Sequence, residues 1–151
     1  MPWHAYVYNV LLLSCCLYAA VRGGAPERAD AAIILLGSAL TFLSYSPPAA
    51  RFHAVEELVF MVDMAVLVAF AAVSQLADRF WPMAVTGAQL AGISVHVIKA
   101  LAPDVAVLGY SFALALPAYI MLGCIAAGVY RHQRRLAATG RDPSWIRRCR
   151  S

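Results

Sequence analysis

Five polar side chains stand inside apolar runs or at their edges: Glu56, Asp63, Gln89, His96 and Lys99. Each needs a reason to be there, because an ionisable group near the centre of a membrane helix costs about 2.5–3.5 kcal/mol on insertion scales. Helical spacing puts Glu56, Phe60 and Asp63 on one stripe, and Gln89, Gly92, His96 and Lys99 on another. If the two runs cross a bilayer in opposite directions, both stripes fall in the same half of it. Asp63 or Glu56 can then pair with Lys99 or His96. Two chemistries fit such a cluster. One is an ion pair that fastens two helices, with Lys99 reaching partly to the surface. The other is a proton or ion relay. Both signs of charge are present, which favours the pair, since a cation path more often shows acids alone.

The remaining motifs exclude more than they suggest. His4, His53 and His96 with a nearby Glu56 or Glu57 invite a metal or haem reading. No two histidines have the i,i+4 spacing of a helical metal site and there is no HExxH, so no cofactor is expected. Cys15, Cys16, Cys124 and Cys149 form no CxxC pattern and read as small packing residues. GxSxG, P-loop and GxGxxG motifs are absent. No enzyme is expected on this evidence.

The elements that must hold these residues are set by composition. The chain has 151 residues, of which 62% are hydrophobic and 13% charged. Soluble domains run at about 45–50% apolar and about 25% charged. Mean hydropathy is +0.70. One core cannot bury that excess, and lipid is where the rest belongs. Apolar runs cover roughly residues 4–21, 31–46, 55–77, 82–101 and 105–130. A hydrocarbon layer of about 30 Å needs about 17–25 residues of helix, so the expected fold is an all-α bundle of five transmembrane spans. Gly, Pro and charged residues mark each break, and breaks this short make successive spans antiparallel neighbours. The run 31–46 is the weakest, being short and carrying Ser38, Thr41, Ser44 and Ser46.

Direction follows from the cations. From Arg131 onward there are seven Arg and one Asp, and the preceding 130 residues carry five basic and seven acidic groups. With the tail inside, Arg22, Arg28 and Arg79 also fall inside, leaving only Arg51 and Lys99 outside. The N-terminus is then outside. Residues 131–151 form a basic cytoplasmic tail whose Arg131, Arg134, Arg135, Arg147, Arg148 and Arg150 face anionic headgroups or a partner. The last helix should run on through this tail to Gly140. Asp142-Pro143 then reads as the start of a short interfacial helix, 143–150, carrying Trp145 and Cys149. Nucleic acid is not expected, because no aromatic platform accompanies the arginines.

Small residues suggest close helix packing, within the chain or between chains. Gly87-x3-Ala91, Ala88-x3-Gly92, Gly123-x3-Ala127 and Cys124-x3-Gly128 all have the required spacing. Pro117 interrupts the backbone bonding of the last run and should kink it near Ala113.

The segments 8–13 (YNVLLL), 22–28 (RGGAPER) and 77–82 (ADRFWP) resemble those of small uncharacterised multi-pass inner-membrane proteins of alphaproteobacteria. The resemblance spans most of the chain and implies a bacterial inner-membrane setting, with no activity attached. The function expected first is that of an accessory or structural subunit, packing in a larger membrane complex or with itself. Two alternatives are a small transporter or proton-coupled protein using Asp63, His96 and Lys99, and a holin-like permeabilising protein.

Overall fold

The computed structural model describes residues 3–44, 57–102, 104, 106–142 and 145. They form five helices: α1 (Trp3–Arg22), α2 (Ala25–Ser44), α3 (Glu57–Leu76), α4 (Trp81–Leu101) and α5 (Val107–Thr139). The protein is all-helical. The stretches Ala5–Arg22, Glu57–Leu76, Trp81–Leu101 and Leu108–Thr139 are long and apolar enough to cross a membrane. α2 falls short of that mark because its first turns carry Glu27, Arg28 and Asp30.

The helices close into a ring. α1 packs on α2 and α5, α2 on α3, α3 on α4, and α4 on α5, with a smaller contact between α2 and α5. Every helix feeds the core. Leu12 and Cys16 come from α1, Ile34 from α2, Phe70 from α3, Val85 from α4, and Ile125 and Val129 from α5. The outward faces are as apolar as the inward ones: Leu17, Leu43, Leu58, Val68, Leu101 and Leu116 are all more than 60% exposed. Contiguous apolar surface on this scale suits hydrocarbon rather than water.

The sequence analysis places a seven-residue break at 22–28, and the structure shortens it to Gly23-Gly24. Two glycines suffice because the chain turns there in very little space. A Cβ on Gly23 would sit 2.4 Å from the Ala19 carbonyl oxygen, and one on Gly24 would sit 2.9 Å from the His132 ring. Pro26 then falls in the first turn of α2, where its missing N–H has no partner to lose. Glu27, Arg28 and Asp30 are therefore helical and not loop residues. Pro82 starts α4 in the same way. α5 has 33 residues, so at 1.5 Å each it is about 50 Å long and outruns the apolar layer. Gly140 ends it in the left-handed conformation at φ 67°, its N–H bonded to the Leu136 carbonyl.

The two registers of small residues face opposite ways. Ala88 and Gly128 are buried, while Gly87, Ala91, Gly123 and Ala127 are exposed. Gly92 approaches Pro117 across the α4–α5 seam, its added Cβ lying 4.0 Å from the proline's. Gly128 is the tight point, since a Cβ there would lie 2.6 Å from the indole of buried Trp81. Gly128→Ala should destabilise the bundle by about 1–3 kcal/mol through overpacking. Gly123→Ala meets nothing within 4 Å and should be neutral or gain up to about 1 kcal/mol of helix propensity. Thermal unfolding in detergent checks the order, which the opposite ranking would refute.

Candidate functional site

The bundle holds two buried polar networks, one at each end. The first joins residues that the sequence analysis singles out. Asp63 on α3 lies 3.0 Å from His96 Nε2 on α4. The Gln89 amide donates to the Asp63 backbone carbonyl at 3.1 Å and to its carboxylate at 3.3 Å. The other His96 nitrogen, Nδ1, is 2.7 Å from the Tyr110 hydroxyl on α5. A carboxylate can only accept, so Nε2 carries a proton and donates it to Asp63. The neutral ring then accepts the Tyr110 O–H at Nδ1. Three helices are thus connected through one imidazole, only 3% exposed.

Lys99 does not pair with Asp63, and it does not reach for the surface. It is 4% exposed, with its ammonium 5.8 Å from the centre of the Tyr110 ring, in cation–π range. Glu56 lies outside the described residues. Tyr110 is the member that sequence reasoning missed. Phe60 stacks edge-on against His96 and, with Val97, Ala100 and Leu101, lines an open apolar pocket of about 200 Å³.

The second network sits at the tail end. Arg79, in the α3–α4 connection, donates to Glu27 of α2 at 2.5 Å and to Asp142, just beyond α5, at 2.8 Å. The side chains of Arg79 and Glu27 are at most 1% exposed. Asp142 also accepts from Arg135 Nε at 2.8 Å and from His132 Nδ1. His132 Nδ1 is therefore a donor, and its 3.5 Å approach to the Arg79 guanidinium is a contact between two donors. Burial pushes the Asp142 carboxyl up, but hydrogen bonds from His132 and Arg135 and the charges of Arg79 and Arg135 outweigh it and hold it below its ordinary range. A carboxyl lowered in this way adds stability above its unfolded value, and that stability is lost as pH falls through the folded one.

Asp30 lies one turn beyond Glu27 on the same face of α2, ahead of the apolar run that begins at Ala31. It is fully buried, and neither carboxyl oxygen has a partner among the described residues. Burial first, and the Glu27 charge second, push its carboxyl up to about 8.

In the tail, the Asp142 carboxylate accepts from Arg79, His132 and Arg135. Arg135 reaches it through Nε with its side chain still 40% exposed. Trp145 forms an antiparallel bridge with Ala77, which returns the chain against the α3–α4 connection. Arg131 and Arg134 remain exposed, Arg134 over the Tyr130 ring. Arg147, Arg148, Arg150, Cys149 and the expected helix 143–150 lie outside the described residues, apart from Trp145. The thiols of Cys15 and Cys16 tie helices as weak donors, to the carbonyls of Leu122 and Ala31, each at 3.4 Å.

Among the described residues no three His, Cys, Asp or Glu side chains are grouped to hold a metal. His53 and the side chain of His4 lie outside them. No family model, no curated protein and no solved structure matches the chain.

The His96 network yields a direct test. Tyr110→Phe keeps the ring but strands His96 Nδ1, and should destabilise the protein by about 1–3 kcal/mol. Tyr130→Phe, on an exposed ring, should change nothing. Denaturant titration in detergent measures both, and equal effects would remove Tyr110 from the network.

Proposed function

We propose that this chain is a non-catalytic integral membrane protein that works by packing, as an accessory subunit of a larger membrane assembly or of an assembly of its own copies. In this reading it crosses a bacterial inner membrane five times, with the N-terminus outside and the basic end inside. The charge distribution supports that direction, since the exposed cations Arg22, Arg28, Arg131 and Arg134 gather at one end of the bundle.

One observation carries the packing role. Small residues at helical spacing are exposed on α4 (Gly87, Ala91) and on α5 (Gly123, Ala127), and added Cβ atoms at the two glycines meet nothing within 4 Å. Meanwhile the inward registers, through Ala88 and Gly128, already serve the α4–α5 seam. Bare backbone on an outer face lets another helix approach closely, which is how helices associate where the hydrophobic effect gives no drive. The interior acids and bases point the same way: Asp63, Glu27 and Asp142 are engaged by other helices or connections of the same chain.

Gentle extraction from the native membrane tests this. Other chains, or further copies, should accompany the protein in fixed ratio. Gly87→Leu with Gly123→Leu should release them while leaving thermal unfolding unchanged. A protein that runs alone in its wild-type form contradicts the reading.

A proton-coupled role is the second reading, favoured by the continuous Asp63–His96–Tyr110 chain beside an open pocket. It requires Asp63→Asn to abolish proton-coupled uptake into vesicles without unfolding the protein.

A further inference from the structure

The tail-end network has an unbalanced charge. Among the described residues Glu27 and Asp142 pair with two guanidiniums, those of Arg79 and Arg135, and one imidazole, that of His132, while Asp30 lies one helical turn from Glu27 with no cation bonded to it. With His132 neutral the sum is −1. Arg79 and Arg135 are directed to Glu27 and Asp142, so the unbalanced charge falls on Asp30. Three carboxyl oxygens there are buried without a partner among the described residues: Oε2 of Glu27 and both oxygens of Asp30. A bare carboxylate in that position is far more costly than a neutral acid. Two acids one helical turn apart, each with a free oxygen, have one economical solution, which is to share a proton.

We infer that Glu27 and Asp30 form a buried proton-binding site at the tail end of the bundle, with Asp30 carrying the proton and the free Oε2 of Glu27 accepting it. The proton turns one orphan acceptor into a donor and removes the unbalanced charge among the described residues. Among the described residues, α1 brings the Cys16 thiol, bonded to the Ala31 carbonyl, and ends in Arg22, which is exposed like Arg28 of α2 itself. Between Leu58 and Ala77, α3 has no ionisable group except Asp63, which belongs to the His96 network. The α3–α4 connection brings Arg79 and an exposed Asp78. α5 and its continuation bring His132, Arg135 and Asp142.

The site also sets a sign for pH dependence. An acid held protonated by the fold binds its proton more tightly folded than unfolded, so the folded state loses stability as pH rises between the two values. This is opposite to the contribution of Asp142.

Infrared spectroscopy of the full chain, labelled with carbon-13 at the aspartate carboxyls, tests the site directly. At about pH 6, far above the ordinary aspartate range, a label-sensitive band of a protonated carboxylic acid is expected. It should fade by about pH 10. Asp30→Asn should remove the band, and Asp63→Asn should leave it. The absence of a labelled acid band at the lower pH in the wild-type protein overturns the proposal. So does a band that Asp63→Asn abolishes, and these two results decide the matter even if Asp30→Asn fails to fold. The thermal midpoint gives a second readout. It should fall from the lower pH to the higher in the wild type, and an unchanged midpoint counts against the site.

Discussion

A guanidinium taken out of water must keep its anions, and Arg79 dictates the tail end of this bundle for that reason. Its side chain is 1% exposed, with Glu27 on one side and Asp142 on the other. Desolvating a cation costs several kcal/mol, recovered only where opposite charges meet it in good geometry. The geometry is supplied from three places in the chain. Glu27 comes from the start of α2, Arg79 from the turn before α4, and Asp142 from the segment released by Gly140 at the end of α5. Gly23-Gly24 belong to the same arrangement, because only residues without a Cβ let that turn pass beneath His132. One buried charge therefore fixes where α2 begins, how α3 turns into α4 and where the chain goes after α5.

The opposite end is fastened by a hydrogen-bonded chain. Asp63, His96 and Tyr110 connect α3, α4 and α5 through one ring whose two nitrogens are both used. Among the described residues, α1 takes no part in either network. It is held by the core through Leu12, Cys16 and Ala19, by thiol contacts to α2 and α5, and by the Gln133 amide on the Arg22 carbonyl. Between the two ends the core is apolar, and the outer faces are apolar too. Such a molecule keeps its polar chemistry inside and presents packing surface outside, which is the basis of the subunit proposal.

The helices were legible from apolar run length, since burial inside protein and burial in lipid both demand it. So was the meeting of Asp63 with Gln89 and His96, because antiparallel neighbours bring matched depths together. The tail-end network was harder to see. Charge counting puts Glu27 and Arg79 on the same side of the layer and says nothing of a contact between them. Arg79, however, reads in sequence as a direction-setting charge, indistinguishable from Arg22 or Arg28, and only packing shows that it is buried. Asp142 before Pro143 is an ordinary helix-start signal, and nothing local reveals that tertiary ion pairs engage it. Glu27 reads in sequence as a loop residue, because a Gly-Gly-Ala-Pro string suggests a longer break than two glycines need.

The account depends on the claim that buried charges at the tail end bind these segments into one structure. A double-mutant cycle on Glu27 and Arg79, read as unfolding free energy in detergent, measures this most directly. Glu27→Gln and Arg79→Gln should each cost about 3–5 kcal/mol by leaving a buried charge unpaired. The double variant should then cost much less than their sum. Additive losses, or single losses within about 0.5 kcal/mol of zero, would contradict the claim.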